Sequence, residues 1–542
     1  MKFTLCLGAL ACALSTGFGA ANPVSSPASR PPNIIFILAD DMGQGDVSAY
    51  NPAAAWRTPN LDRLAREGAR FTDAHSSSAV CTPSRYSFLT GRYAWRSRLK
   101  SHVLFGYSQP LIEPGRLTVP ALLRTQGYTT AMIGKWHLGL DWARQPAGTP
   151  SASYEAPPEP GPRARENDPQ LAHGIAYDEP FREGPTHIGF DSFFGISASL
   201  DMDPYVWLRD DRVVSPPTHR IDKSALPAMW RTGPIADDFA HVNVQSRLTR
   251  EAVDYLARQD GGKPFFLYLA FASPHTPIVP TPEFAGRTGS AYGDFCLQLD
   301  HDVGELLRVL DERGLADNTL VVFTADNGCS PAANFAELKK IGHDPQAGLR
   351  GGKADLYEGG HRVPFLARWP VQIPAGSESS ALICQMDWLA TCADLLSASL
   401  PADAGEDSVS LLPVLRDPAH AIAPRGNLVH HSVNGSFAIR QGAWKLCLAP
   451  DSGGWSDPKP GQAPADAPPF QLFDLAHDRA ETKNLFAAHP DLVAELASLL
   501  ETQIRQGRST PGPAQPNTGG DNWPQLDWMN HPALAAAAAA TR

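Results

Sequence analysis

Short continuous apolar runs punctuate this chain at wide intervals. Residues 33–38 read NIIFIL, and runs of the same character return at 129–133, 265–270, 319–324 and 363–367. None alternates apolar with polar positions, so each predicts a strand covered on both faces. Between them the period changes. Thr58 stands as a helix cap and Pro59 at the first helical position; Leu61, Leu64 and Ala65 share one face, and Gly68 is the stop. Further helical periods cover 239–258 and 292–313, the second ending before Gly314. Strands alternating with helices predict an α/β fold, a large and mostly parallel sheet sandwiched between helices.

Beyond residue 428 the pattern shifts. Residues 434–448 alternate and turn at Gln441-Gly442, a hairpin signal, while 471–475 add a strand and 490–505 a helix. These predict a smaller C-terminal α+β domain over 429–510, followed by a tail at 511–542 whose alanine-rich stretch, 533–540, is expected to fray. Residues 142–185, crowded with Pro, Gly and charge, read as an irregular insertion. At the other end, Lys2, the apolar stretch 3–14 and the small residues 15–21 form an export signal. Residues 22–32 make a linker, which leaves 33–428 as the main α/β domain. The signal predicts a periplasmic or secreted protein. No later stretch reaches about 18 uninterrupted apolar residues, so no transmembrane segment is expected.

Composition narrows the function classes. The 542 residues are 43% hydrophobic and 19% charged, the profile of a folded globular chain. A net charge of −11 speaks against a nucleic-acid partner, which calls for a basic surface. It leaves room for a small anionic substrate, because a few buried cations dominate a single pocket. Of eight cysteines, Cys6 and Cys12 belong to the signal; Cys81, Cys296, Cys329, Cys384, Cys392 and Cys447 remain. Their spacing shows neither a compact disulfide framework nor a CxxC zinc pair, and Cys384–Cys392 is the nearest candidate bridge.

Ligands of open α/β sheets sit beyond the carboxyl ends of the strands. Asp40-Asp41 closely follow the first apolar run and Asp326-Asn327 the fourth. One Asp after a strand is usually a loop or helix cap. Two such pairs at equivalent positions gather three carboxylates and an amide at one edge, where a hard cation such as calcium or magnesium relieves their repulsion. In Cys81-Thr82-Pro83-Ser84-Arg85, Thr82 and Pro83 predict the cap and first position of a helix that Gly91 closes. Cys81 would then lie beside the helix's positive end, with Arg85 about one turn on. Read from the residues alone, Cys81 is either a thiolate nucleophile or inert.

The Cys-x-Pro-x-Arg pentapeptide, followed by Leu89-Thr90-Gly91-Arg92, resembles the signature of the formylglycine-dependent type I sulfatases. The likeness is to the arylsulfatase A and N-acetylgalactosamine-sulfatase branch, within the alkaline phosphatase superfamily. It extends through the Pro32-Asn33-Ile34 strand with Asp40-Asp41, the TPNLDRLA stretch at 58–65 and Gly134-Lys135-Trp136-His137-Leu138-Gly139. It continues in Pro274-His275-Thr276-Pro277, Asp326-Asn327-Gly328, Gly351-Gly352-Lys353 and Leu472-Phe473-Asp474-Leu475. Each fragment is weak alone; their order is specific.

The resemblance implies that Cys81 is oxidised to formylglycine, whose hydrate attacks sulfur and later expels sulfate. It implies one calcium ion held by Asp40, Asp41, Asp326 and Asn327 together with residue 81. Arg85, Lys135, His137, His275 and Lys353 match the family's polar ring. In that scheme Arg85 holds the formylglycine and Lys135 and Lys353 clamp sulfate oxygens, while His137 serves as base and His275 as acid on the leaving oxygen. Sulfated carbohydrates or aryl sulfates are the implied substrates, and a formylglycine-generating enzyme the implied maturation partner. Loops at 96–107, 142–185 and 199–211 would choose among substrates, with Ser101, His102, Asp201, Asp203 and Tyr205 as candidate contacts. The nearest alternative is a phosphonate monoester or phosphodiester hydrolase of the same fold.

Overall fold

The apolar runs become strands of one ten-stranded sheet. In chain order these are β1 (Asn33–Ala39), β2 (Ala69–Phe71), β3 (Thr129–Lys135), β4 (Ser192–Ile196) and β5 (Leu208–Arg209). β6 (Arg212–Val213), β7 (Phe265–Ala270), β8 (Thr319–Ala325), β9 (Phe365–Arg368) and β10 (Ser377–Ser379) complete it. The lateral order is β10-β2-β9-β8-β1-β7-β3-β4-β5-β6. The five central strands, β8 to β4, run parallel; the β8–β9, β9–β2, β4–β5 and β5–β6 pairs are antiparallel. Every residue of β1, β7 and β8 is buried, as uninterrupted apolar strands covered on both faces require.

The computed structural model describes residues 1, 30–146, 149 and 169–540; the export signal, most of the linker and the centre of the 142–185 insertion lie outside the described residues. Helices flank the sheet: α1 (Pro59–Glu67), α2 (Cys81–Thr90), α3 (His241–Ala257) and α4 (Ala291–Glu312). Two helix starts differ from the sequence reading. Thr58 makes no side-chain cap, since its hydroxyl is engaged by Ser48. The carboxylate of Asp300, on α4, instead accepts from Asn60 N at 3.1 Å and Leu61 N at 2.9 Å. α2 begins at Cys81 with Val80 as its cap, because the Thr82 hydroxyl is drawn to the backbone of His137 and Leu104. Gly91 ends α2 at φ +64, as its position in the motif predicts.

A four-stranded antiparallel sheet follows: β11 (Asn427–His431), β12 (Phe437–Gln441), β13 (Trp444–Cys447) and β14 (Gln471–Asp474). The hairpin turns at Gly442, with Gln441 opposite Trp444. Helix α5 (Pro490–Gln506) packs its apolar stripe on this sheet through Val493, Leu496, Leu500 and Ile504. The alanine-rich end does not fray. It forms α6 (Pro532–Ala540), packed against α5 with Ala537 buried, because a run of the best helix former needs only one covered face.

Between α5 and α6 the chain returns to the main sheet's loops. Arg96 donates to Gln503 O and Asn517 Oδ1, Thr518 N donates to Arg96 O, and Lys100 donates to Thr518 O above the Trp523 ring. All six described cysteines are free and buried, Cys384 and Cys392 among them. No helix among the described residues is long and apolar enough to cross a membrane.

Candidate active site

The parallel register brings five strand ends to one edge. Ala39 of β1 lies opposite Ala325 of β8, Leu38 opposite Ala270 of β7, Ala270 opposite Gly134 of β3, and Lys135 opposite Ile196 of β4. The residues just past these ends are Asp40 and Asp41, Asp326 and Asn327, His275, His137, and Ser199 with Asp201. This is the carboxyl edge where open α/β sheets bind ligands. The approach is close at Gly134, whose φ is +122 and where a Cβ would stand 1.8 Å from Ala270 O; glycine is required before Lys135.

The carboxylates meet cations at the centre. Asp41 N donates to Asp326 Oδ1 at 3.3 Å, and Asp41 itself adopts φ +66. Arg85 donates Nε and a terminal nitrogen to Asp326 Oδ2 at 3.0 and 2.8 Å, and its other terminal nitrogen to Lys135 O. Lys135 Nζ donates to Asp40 Oδ2 at 2.5 Å and to Ser199 Oγ at 3.1 Å. Lys353 Nζ lies 2.7 Å from Asp41 Oδ1 and 2.8 Å from Oδ2. Cys81 Sγ is 3.6 Å from Asp40 Oδ1. Three buried carboxylates thus face three buried cations, which lets the cluster stay charged away from water.

Electrostatics divide these groups by role. Burial opposes charging Asp40, but Lys135, His275, Arg85 and Lys353 together hold its carboxyl well below the usual range. Burial and the neighbouring Asp40 push Asp326 upward. Burial, then Asp326, push the Cys81 thiol far up, the opposite of an activated thiolate. Burial, Lys135 and Arg85 hold His137 well below its ordinary value, so its ring is neutral. Its Nε2–H donates to Leu104 O at 2.8 Å, leaving Nδ1 as a buried lone pair without a hydrogen-bond partner. His275 donates Nδ1–H to Thr276 O at 2.6 Å and turns Nε2 toward Asp41 Oδ2 at 3.5 Å.

The donor set suits a hard cation. Ligand atoms of Asp40, Asp41, Cys81 and His275 all lie within 4.8 Å of one another. Asn327, whose Nδ2 donates to Asp41 Oδ1 at 2.8 Å, keeps a buried amide oxygen with no partner. Oxygen donors carrying net negative charge, with an orphaned carbonyl beside them, are the chemistry that calcium or magnesium takes.

A second buried group, His75, Glu358, His361 and His430, is close enough to suggest a metal. Its cation is already built in. Lys445 Nζ lies 3.0 Å from Glu358 Oε1, 2.9 Å from Glu481 Oε1 and 3.1 Å from His361 Nε2. The His361 and His430 rings also stack at 3.5 Å, 12° between planes, so their in-plane lone pairs run side by side instead of converging.

Above the acidic cluster opens a cavity of about 880 Å³, lined by the buried Cys81, His137, Ser199, Asp201, His275 and Lys353 and by the more exposed Ser101, His102 and Arg231. Arg85 and Lys135 lie beneath the wall, bonded to the carboxylates. Of the candidate substrate contacts, Ser101, His102 and Asp201 reach the cavity, and Asp203 and Tyr205 do not. Asp203 is half-buried beside Tyr107, and the Tyr205 hydroxyl lies 3.0 and 2.8 Å from the backbone oxygens of Asp201 and Arg231. They brace the wall from behind. Sequence reasoning missed Ser199, which touches both Lys135 and His275, and Arg231, which pairs with Asp201. A small hydroxyl in an irregular loop and a lone Arg 30 residues beyond Asp201 carry no local signal.

Comparison with known proteins agrees with this geometry. Residues 32–398 match the Sulfatase family model. The chain is 33% identical to N-acetylgalactosamine-6-O-sulfatase of Bacteroides thetaiotaomicron over 515 residues, covering 88% of this chain and 93% of that protein. It is 33% identical to human arylsulfatase A, covering 93% and 94%. A solved 6S-sulfatase from a study of glycosaminoglycan metabolism by Bacteroides thetaiotaomicron superposes with a TM-score of 0.72 at 32% identity, covering 88% of this chain and 99% of that one. The chain belongs to the sulfatase family, the type I sulfatases of the alkaline phosphatase superfamily. It is a sulfuric ester hydrolase.

Proposed function

We propose that the protein removes sulfate from sulfated glycans, using formylglycine formed at Cys81 and one calcium ion held by Asp40, Asp41, Asp326 and Asn327. The single observation that carries this reading is the convergence of Asp40, Asp41, Cys81 and His275 within 4.8 Å beneath a cavity that also contains Lys353 and His137. The glycan assignment leans on the relatives that act on sulfated sugars. Export by the N-terminal signal and maturation by a formylglycine-generating enzyme belong to the same proposal.

Hydrated formylglycine supplies the nucleophilic hydroxyl and calcium the Lewis acidity that favours its ionised form. The chain's own groups do the rest. Arg85 fixes Asp326 through two hydrogen bonds to one oxygen and holds the Lys135 carbonyl, so the first turn of α2 is locked to the acidic edge. Lys353 and Lys135 bring positive charge to the place where three sulfate oxygens gain negative charge in the transition state. His137, neutral with a free Nδ1, accepts a proton at that atom. His275, braced at Nδ1 by Thr276 O, donates a proton to the departing oxygen from Nε2 when its ring enters the step as the imidazolium, and leaves it neutral.

Four measurements test the reading. Cys81→Ala should abolish sulfate release from an aryl sulfate and from sulfated sugars, with peptide mass spectrometry reporting formylglycine at position 81 in the active protein. Chelation should reduce turnover and added calcium restore it. An active Cys81→Ala variant, or faster turnover of a matched phosphodiester than of the sulfate, would overturn the proposal.

A further inference from the structure

The cavity grades from a closed floor to an open rim. Cys81, His137, His275 and Lys353 are 1–8% exposed, while Trp455 and Leu226 at the mouth are 45% and 57% exposed. Both rim residues are large and apolar, and Trp455 is exceptional in being held rigidly. The buried carboxylate of Asp355 accepts from Trp455 N at 2.7 Å, Ser456 N at 3.0 Å and Gly352 N at 2.9 Å, and from the Ser456 hydroxyl. Gly454 packs so tightly that a Cβ there would stand 2.4 Å from Ala354 O. The segment bearing Trp455 is therefore riveted to the turn that carries Lys353. Its indole ring faces no aromatic ring or cation among the described residues.

We infer that Trp455 is the stacking platform for a second sugar ring, the neighbour of the sulfated one, and that Asp355 is its positioning residue. This rests on the sulfated-glycan reading above. A pyranose presents an apolar C–H face and polar edges. The cavity offers both, an exposed indole at Trp455 and the polar side chains of Ser101, His102, Asp201 and Arg231 in its lining. One Asp201 oxygen, Oδ1, is buried without a hydrogen-bond partner. Depth fixes which ring stacks. The sulfate belongs at the closed floor with Cys81 and Lys353, so the sulfated ring fills the throat and the exposed indole meets the ring attached to it. A cavity of about 880 Å³ is near the upper end of small-molecule sites, roughly 300–1,000 Å³, which accommodates more than one ring.

The test compares three probes on the mature enzyme: p-nitrophenyl sulfate, N-acetylgalactosamine 6-sulfate, and a disaccharide ending in that residue. Wild type should favour the disaccharide over the monosaccharide in kcat/KM. Trp455→Ala should erase that preference, lowering disaccharide kcat/KM about 10-fold, chiefly through KM, as expected for one lost aromatic contact. Turnover of the aryl sulfate by Trp455→Ala should stay within about twofold of wild type, Trp455→Phe should recover most of the loss, and Asp355→Asn should raise KM for the disaccharide more than for the aryl sulfate, its smaller aryl-sulfate loss coming through the Gly352 amide beside Lys353. Equal losses on all three probes would mark Trp455 as structural and overturn the inference, as would an unchanged disaccharide preference. Failure of wild type on every sulfate would sink the underlying reading instead.

Discussion

Replacing Lys445 by Met isolates what the buried network around Glu358 and Glu481 is worth. Lys445 is fully buried on β13 and its ammonium serves Glu358, Glu481 and His361 at 2.9–3.1 Å. Without it, Glu358 retains Arg362 at 3.3 Å and Arg440 at 3.8 Å, but Glu481 has no other cation within ion-pair distance among the described residues. Burial already pushes Glu481 up to about 7, against the pull of Lys445. Its carboxylate would then be left charged and unpaired, or would take up a proton. Breaking one partner of a buried pair costs about 3–5 kcal/mol. With an unfolding entropy of about 2.1 cal/mol/K per residue across the unit spanning Pro32–Arg542, that loss lowers Tm by roughly 3–5 °C. Differential scanning calorimetry near neutral pH reads it directly. The double variant Lys445→Met/Glu481→Gln removes the orphaned charge and should recover part of the loss, a coupling that a thermodynamic cycle exposes. A single variant melting within about 1 °C of wild type would refute the reasoning, as would a double variant no better than the sum of its parts.

Other consequences are equally checkable. Burial holds His431 down to about 4, against 6.5 when unfolded, so its neutral form contributes stability that is complete above pH 6.5 and is lost as pH falls toward 4. His431→Gln should therefore melt progressively better relative to wild type on acidification, by about 3 kcal/mol at pH 4; a pH-independent difference between the two proteins would contradict this. Asp300→Ala removes the acceptor for two amides at the start of α1 and should cost about 1–2 kcal/mol, measured as a loss in Tm with aryl-sulfate turnover at 25 °C retained.

Much of this architecture could be read from the chain before any coordinates. Uninterrupted apolar runs such as 33–38 and 319–324 admit little else than doubly covered strands, and acidic pairs just past two of them point to one sheet edge. That β1 and β8 are neighbours in parallel register is what turns two weak signals into one cluster. The failures share a cause too. Asp203 and Tyr205 sit in the right loop but do not line the cavity, since a polar residue in an irregular segment carries no period to reveal its direction. Asp300 caps a helix 240 residues away, and Lys445 settles a charge balance with Glu358, His361 and Glu481 from other segments of the chain. Such long-range pairing is invisible to local pattern. The alanine-rich end was misjudged because low complexity hid a helix that has a partner.

The return of residues 503–523 to Arg96 and Lys100 has a kinetic consequence. Those contacts join positions 407 to 421 apart in sequence, and they secure the loop that forms one side of the cavity mouth. During synthesis, the parallel strands can assemble while this segment is still to emerge, yet the loop stays unfastened until it arrives. The floor of the site can thus be complete before this side of its doorway is fastened.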